Sequence, residues 1–219
     1  MQEHEKIAPH VHPKRDSHGR EVLLSEPSQP TPLSAWQDPD AIAAVVPGGE
    51  IPSTLNGIAL AAWPATPRDD AGWARIAGGA GIDEPAFVPP PGKNAAAGLV
   101  MLKPDGRVWL VSPSNRYAGY RNTFPKGTVE SGASLRATAV KETWEESGLV
   151  AEVTGHLIDA LRSGSYTRYY LARRLGGDPT TMGWESQAVH LVPQRRLHEM
   201  IENAFDRPIV EALRGRFGA

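Results

Sequence analysis

The feature that most constrains the fold is a helix with an acidic face in residues 127–149, which read GTVESGASLRATAVKETWEESGL. Ser134 is a suitable N-cap, because its hydroxyl can accept a hydrogen bond from a free backbone N–H of the first turn. Gly148 suits the left-handed position that ends many helices. The apolar residues of this segment recur at helical spacing and predict one buried face. They are Ala133, Ala137, Val140 and Trp144.

Three glutamates share the opposite face of this helix, because Glu142, Glu145 and Glu146 are spaced i, i+3, i+4. Like charges at that spacing cost a helix roughly 0.2–0.5 kcal/mol per pair, and acids in the last turn also oppose the helix dipole. A hard divalent cation would turn this cost into a favourable interaction, because carboxylate oxygens are ligands that Mg²⁺ prefers. Taken alone, the three glutamates are more typical of a solvated acidic surface than of a metal site.

The residues around the glutamates favour the metal site. The segment resembles the Nudix box, Gly-x5-Glu-x7-Arg-Glu-U-x-Glu-Glu-x-Gly-U, in which U is a bulky apolar residue. Gly127, the three glutamates, Gly148 and Leu149 occupy their positions at the correct spacing, and the preceding Phe-Pro-Lys also looks like the family. The resemblance covers about residues 95–214. It implies an α/β fold, an α/β/α sandwich with a mixed β-sheet, and a hydrolase that cleaves the pyrophosphate linkage between a nucleoside diphosphate and another group, X.

Three positions depart from the family pattern. Ala133 stands where the family has its first Glu, Lys141 replaces the Arg, and Thr143 replaces the bulky apolar residue. In the family, the first Glu and the Arg make a polar contact that supports the loop–helix geometry. One interpretation is compensation, since a planar guanidinium without its acid loses its bidentate partner and Lys becomes tolerable. The alternative is a catalytically weak or inactive Nudix-like module that binds a nucleotide or regulates.

The resemblance also assigns roles to the residues of the box. It implies that the metal ligands are Glu142, Glu145, Glu146 and the carbonyl of Gly127, whose missing Cβ lets the backbone come close to the ion. The expected ion is Mg²⁺, with Mn²⁺ as the substitute, because such ions neutralise phosphate oxygens and acidify a bound water. The candidates for the general base are Glu142 and Glu145 within the box and Glu185 in a later loop.

Cationic and aromatic residues before the box are candidates for substrate binding. Arg121 and Lys126 can pair with phosphates, and Tyr120 can stack on a base, although packing is the commoner role of a tyrosine. Further candidates of the same two kinds are Arg116, Tyr117 and Trp184. The approach to the box resembles that of dinucleoside polyphosphate and diphosphoinositol polyphosphate hydrolases. The expected partner is therefore a small phosphorylated substrate derived from a nucleotide.

Residues 1–94 are predicted to be an extension of this domain. They hold 14 of the 20 prolines, and the run Pro-Pro-Pro-Gly at 89–92 predicts a stiff linker before a Nudix domain at 95–219. Residues 1–34 are expected to be disordered, because they bury too little apolar area to offset the ordering entropy. Residues 35–94 are expected to form an arm that packs on the domain or on a second copy in a homodimer, with a few helical turns at 69–77.

Composition excludes several classes of function. The absence of cysteine excludes disulfides, thiolate metal sites and a Cys nucleophile. The net charge of −2 gives no bulk electrostatic reason to expect binding to nucleic acid or to an anionic membrane. No apolar run approaches a membrane span and the N-terminus has no apolar signal-peptide region, so the expected location is the cytoplasm.

The domain itself is predicted to begin with a β-hairpin. Residues 98–102 and 107–111 are the paired strands, and the Pro and Gly of 103–106 suit the turn between them. The further predicted strands are 122–124, 151–154, 156–161, 165–172 and 188–192. An amphipathic helix is predicted over 197–204, and another begins at Pro208.

Overall fold

The structure, a computed structural model, describes residues 10–78 and 81–218. The strands in chain order are β1 (His10–Val11), β2 (Leu23–Leu24), β3 (Ala43–Val45), β4 (Thr54–Leu55), β5 (Ile58–Ala59), β6 (Asn94–Met101), β7 (Arg107–Pro113), β8 (Lys126–Thr128), β9 (Leu149–Leu161), β10 (Ser165–Gly177) and β11 (Ser186–Pro193). The α-helices are α1 (Ser34–Gln37), α2 (Asp70–Ala77), α3 (Leu135–Ser147), α4 (Leu197–Met200) and α5 (Arg207–Phe217). None of the helices in the described ranges is both long and apolar enough to cross a membrane.

Two β-sheets form the centre of the domain. The larger sheet has the order β8-β6-β10-β9 and is mixed, because β10 runs parallel to β6 and antiparallel to β9. The smaller sheet has the order β3-β11-β7 and is antiparallel. β11 is buried at every position, as expected for a strand that is covered on both faces. The mixed α/β fold predicted from the sequence is confirmed.

Helices cover both faces of the larger sheet. Leu99 and Met101 of β6 pack in one hydrophobic cluster with residues of α3, whereas Val100 packs in a second cluster with residues of α5. Successive side chains of a strand point to opposite faces. The two helices therefore lie on opposite sides of the sheet, as in an α/β/α sandwich.

The hairpin predicted between the first two strands of the domain does not form as a paired ladder. Its turn is present, since the Gly106 N–H donates to the Lys103 carbonyl at 2.9 Å. Beyond one bridge between Leu102 and Val108, however, β6 pairs with β10 and β7 pairs with β11. The prediction of the pairing was wrong because the partners are supplied by strands much later in the chain.

Two further elements differ from the prediction. The strands expected at 151–154 and 156–161 are one strand, β9, and the register shift next to Gly155 is absorbed as a β-bulge. The helix expected over 197–204 ends at Met200. Beyond it, the side chain of Asn203 accepts from the backbone N–H of Phe205 at 2.9 Å, and such local bonds compete with a helix.

The N-terminal extension lies on the domain, in contrast to the disorder expected through residue 34. Residues 1–9 are outside the described ranges, but β1 and β2 pair as a hairpin. Trp36 is fully buried 6.0 Å from Trp109, and Arg107 donates to the carbonyls of Ala35 and Trp36 at 2.9 and 2.6 Å. These contacts join residues far apart in sequence, so local composition gave no sign of them.

The helical turns predicted at 69–77 are present as α2, whose N-cap Asp69 accepts from the Gly72 N–H at 2.7 Å. α2 packs on α3 through aromatic contacts, with Trp73 lying 6.2 Å from Trp63 and 5.6 Å from Trp144 between ring centroids. The extension thus covers the outer side of the acidic helix.

Candidate active site

The acidic helix α3 has the ends that the sequence predicts. The Ser134 hydroxyl accepts from the Ala137 N–H at 3.1 Å, and Gly148 has a φ of 70° with its N–H donating to the Trp144 carbonyl at 2.8 Å. Thr143, which stands where a bulky apolar residue was expected, is fully buried, and its hydroxyl donates to the Ala139 carbonyl at 2.8 Å. The substitution therefore leaves no unpaired hydroxyl inside the domain.

A cavity of about 690 Å³ lies beside α3. Most of its wall comes from β8 and α3, from the segment after β7 and from the segment before β11, and smaller parts come from the extension, β6 and β10. Its charged lining residues are Lys126, Glu142, Glu146 and Glu185. The cavity therefore brings the acidic box and the later loop glutamate into one site.

Gly127 is required where β8 passes the acidic helix. A Cβ at this position would lie 2.0 Å from the carboxyl carbon of Glu142 and 2.1 Å from one of its oxygens. Any side chain here would displace the Glu142 carboxylate, so glycine is the residue that leaves this carboxylate where it lies. The arrangement leaves the peptide of Gly127 and the Glu142 carboxylate side by side at the cavity.

Two of the cavity carboxylates, Glu142 and Glu146, have cationic neighbours that offset their burial only in part. Burial raises the pKa of Glu142 to about 7, and the nearby charges of Glu145 and Glu185 add to the effect. Burial raises the pKa of Glu146 to about 8, where Lys126 opposes the shift and Glu142 and Glu185 reinforce it. Such strongly perturbed acids in a cleft are typical of functional sites. Burial likewise raises the pKa of Glu145, which lies outside the cavity.

Comparison with known proteins assigns this arrangement to a family. The NUDIX domain model matches residues 92–213, which is more than half of the chain. The chain belongs to the Nudix family. Members of this family generally use a divalent metal ion.

Several known Nudix-related proteins resemble the chain. An RNA pyrophosphohydrolase from Caulobacter vibrioides is 32% identical over 92 residues, covering 41% of this chain and 50% of that protein. A putative mutator protein MutT4 from Mycobacterium tuberculosis is 29% identical over 132 residues, covering 54% and 53%. The chain therefore spans about half the length of these curated relatives. A solved NUDIX hydrolase from Nitrosomonas europaea superposes with a TM-score of 0.50 at 15% identity, over 57% of this chain and 90% of that one, which supports the fold.

The residues of the Nudix box fit a Mg²⁺ ion that keeps part of its water shell. Within residues 10–78 and 81–218 no three acidic or histidine side chains are gathered as a complete ligand set. Mg²⁺ does not need one, because it usually binds through one or two carboxylates, several waters and substrate phosphates. Glu142 and Glu146 are the carboxylates that would hold such an ion, and the Gly127 peptide lies next to the first of them.

The structure brings together most, but not all, of the residues singled out from the sequence. Lys126, Gly127 and Glu185 line the cavity with the two glutamates just described. Arg121 lies outside it and pairs with Glu202 at 3.3 Å. Glu145 is exposed and does not line the cavity; its backbone carbonyl accepts from the Gly183 N–H at 2.7 Å.

Tyr120 borders the cavity but is not a free stacking surface. Its side chain is buried, and its ring lies 5.4 Å from the Lys126 ammonium and 5.0 Å from the Arg162 guanidinium. Tyr117, in contrast, lines the same cavity and is 80% exposed. Tyr117 is therefore the better placed of the two to meet a base, and Tyr120 is placed to orient Lys126.

Two of the three altered positions of the Nudix box, Ala133 and Lys141, lie next to Glu130. The Lys141 ammonium lies 3.4 Å from a Glu130 carboxylate oxygen. Although burial opposes it, the charges of Glu145 and Glu130 raise the pKa of Lys141. Beside Ala133 there is a void of about 10 Å³, roughly the space of one water. Lys141 thus finds an acid three residues before the position where the family carries one.

Sequence reasoning missed the part of the site that comes from Val22, Ser114 and Asn115, all of which line the cavity. Val22 belongs to the segment expected to be disordered. Asn115 has a φ of 55°, a conformation in which Asn is enriched, so its residue type was the one local signal.

Proposed function

We propose that this Nudix chain is a Mg²⁺-dependent pyrophosphohydrolase that cleaves the pyrophosphate linkage of a nucleoside diphosphate joined to another group. The observation that carries the proposal is the pair of buried, only partly compensated carboxylates, Glu142 and Glu146, that share one cavity with Lys126. Poorly compensated acids are costly in a folded protein unless a cation or a reaction uses them.

Each charged residue of the cavity has a role in the proposed reaction. A Mg²⁺ ion, when bound, supplies neutralisation of the phosphate oxygens and acidification of a water. Glu142 and Glu146 would hold this ion, with the carbonyl of Gly127 as a further candidate ligand. Lys126 pairs with a phosphate oxygen through its ammonium. Glu185 lines the same cavity, and as an acid outside the ion's ligands it accepts the proton of the attacking water.

The substrate class follows from the chemistry of the lining. Lys126 selects for phosphate, and the exposed ring of Tyr117 offers a surface on which a nucleobase can stack. A dinucleoside polyphosphate meets both requirements, and a diphosphoinositol polyphosphate meets the first. The relative named RNA pyrophosphohydrolase adds RNA to the candidates. The net charge of −2 favours the small substrates over a long polyanion.

The test is hydrolysis of a substrate panel by the pure full chain with Mg²⁺ and with chelator. The panel holds diadenosine polyphosphates, ADP-ribose, nucleotide sugars, nucleoside triphosphates, a diphosphoinositol phosphate and a 5′-triphosphorylated RNA oligonucleotide. We expect metal-dependent cleavage of a small member that is lost in Glu146→Gln and retained in Glu211→Gln, a matched change on an exposed part of α5.

Two results would contradict the proposal. Native turnover by Glu146→Gln would place the chemistry elsewhere. Absence of turnover on the whole panel, combined with a ligand-dependent rise in Tm, would instead support the alternative of a Nudix-like binding module without catalysis.

A further inference from the structure

We propose that residues 12–28 of the extension form a strap that holds two active-site loops in position. Asn115 is the residue of the first loop to which the strap is attached. Asn115, Ser25 and Glu26 are therefore positioning residues. The two loops are residues 114–119, which carry Tyr117, and residues 183–187, which carry Glu185. The inference rests on the proposed function for its effect on turnover, and its structural part is tested independently of turnover.

The first loop has a backbone that needs external support. Asn115, Arg116 and Ala118 have φ values of 55°, 54° and 55°. The left-handed region is unfavourable for residues other than glycine, and three such residues within four positions persist only where neighbouring structure fixes them. Tyr117, between them, has its ring 80% exposed at the cavity, so the ring itself contributes little of that support.

The strap supplies the support for this loop. The side-chain oxygen of Asn115 accepts from the backbone N–H of Ser25 at 2.9 Å and lies 3.1 Å from its hydroxyl. The side-chain amide of Asn115 donates to the Leu23 carbonyl at 2.6 Å. Arg116 forms an ion pair with Glu26. Two successive strained residues are thus tied to the same few residues of the strap.

The same strap is attached to the second loop. His12 is buried, and its Nε2–H donates to the Ser186 carbonyl at 3.1 Å while its Nδ1 accepts from the Lys14 N–H at 3.0 Å. The side-chain oxygen of Gln187 accepts from the Ser28 N–H at 3.2 Å. Both loop residues follow Glu185 directly, so the strap fixes the backbone that carries this acid.

The two loops also bind each other beneath the strap. The Ser114 N–H donates to the Glu185 carbonyl at 2.7 Å, and the Ser114 hydroxyl donates to the Trp184 carbonyl at 2.7 Å. Val22, midway along the strap, lines the cavity between them. Strap and loops therefore form one wall of the site, and a disturbance of the strap reaches both Tyr117 and Glu185.

The test compares three full-length variants by hydrogen–deuterium exchange and by steady-state kinetics. Ser25→Ala/Glu26→Gln weakens the strap at two exposed residues. Asn115→Gly removes the side-chain bonds of Asn115 without adding strain, because glycine tolerates the positive φ. Glu21→Gln is the matched control, since Glu21 lies in the same segment and makes only an exposed pair with Arg15.

We expect exchange in residues 114–120 to become about tenfold faster in the first two variants and to stay unchanged in the control. With the best panel substrate we expect KM to rise about tenfold, with a smaller fall in kcat, because Tyr117 acts in binding. If Asn115→Gly does not fold, the strap variant alone carries the test.

The outcomes separate this inference from the proposed function. Unchanged exchange in residues 114–120 would overturn the strap, whether or not the protein turns over substrate. Faster exchange together with unchanged KM and kcat in an active enzyme would overturn the positioning role. Faster exchange in a protein that hydrolyses no substrate would retain the strap and reject the hydrolase.

Discussion

Glu84 of the extension and Glu146 of the cavity both lie at the acidic helix, and their pKa values are shifted in opposite directions. Glu84 of the extension accepts from Arg168 at 2.9 Å and from Tyr170 at 2.8 Å, and it also pairs with Arg136 of α3. Burial alone would raise the pKa of Glu84, but these hydrogen bonds lower it. Glu146 accepts a backbone hydrogen bond from Lys126 and feels its charge, but burial still raises the pKa of Glu146 to about 8.

The difference is between an acid that joins two elements and acids that lie in a cavity. Glu84 joins the extension to the larger sheet and is surrounded by donors. Glu142 and Glu146 are buried with less compensation, as expected of acids that take part in a reaction.

The strongest test of the stabilising side is Glu84→Ala. The change removes the acceptor of the Tyr170 hydroxyl and one of the two acidic partners of Arg168, which is only 2% exposed and keeps Asp159 at 2.7 Å. We expect the free energy of unfolding in urea to fall by about 1–3 kcal/mol. Glu211→Ala, at an exposed position of α5, should change it by less than about 0.5 kcal/mol. A loss below about 1 kcal/mol would mean that the network does not hold the extension.

The catalytic side is tested by Glu146→Gln, which should have the reverse effect on stability. We expect turnover to fall by about 100-fold or more. Mutation of a residue that only hydrogen-bonds to a metal ligand already lowers metal affinity or activity by about 10–100-fold. In chelator, the Tm should rise, since a poorly compensated acid has been removed. A variant that loses both stability and activity would show that Glu146 is a structural acid like Glu84.

The pH dependence of stability sharpens the same contrast. The pKa values of Glu142 and Glu146 are about 7 and 8 in the folded chain, above the ordinary glutamate value of 4.5. Between about pH 4.5 and 8 the folded state therefore binds more protons than the unfolded state, and these two groups make stability fall as pH rises.

Urea unfolding in chelator at pH 5.5 and pH 8.0 measures this slope. We expect Glu146→Gln to flatten it. Mg²⁺ should stabilise the wild-type chain more at pH 8.0 than at pH 5.5, because the ion binds the deprotonated carboxylates. Equal stabilisation by Mg²⁺ at both pH values would argue against these carboxylates as ligands.

The smallest expected effect concerns the ion pair between Lys141, a substituted position of the Nudix box, and Glu130. Glu130 is 72% exposed at its side chain, and pairs of this kind are worth about 0.2–1 kcal/mol. A double-mutant cycle with Glu130→Gln and Lys141→Met should give a coupling energy for turnover within that range. A coupling near zero would leave Lys141 acting through Glu145 and Glu142 alone.

What could be predicted from the sequence was what the sequence encodes locally. Ser134 and Gly148 define the ends of α3 because caps act within one helical turn, and the spacing of the glutamates follows from the helix period. The pairing of β6 with β10, and the position of Arg121 outside the cavity, depend on strands and loops supplied elsewhere. The hydrogen bonds of His12 and Asn115 could not be predicted for the same reason, because their partners lie 174 and 90 positions away in the sequence.

The bond between His12 and Ser186 joins residues 174 positions apart, and this separation has a consequence for synthesis. Translation at about 5–20 residues per second needs roughly 9–35 s to add that length of chain. During that interval His12 has been made, but the carbonyl that it binds does not yet exist. The strap is therefore completed long before its second loop, and until that loop is made it is accessible to a chaperone or a protease.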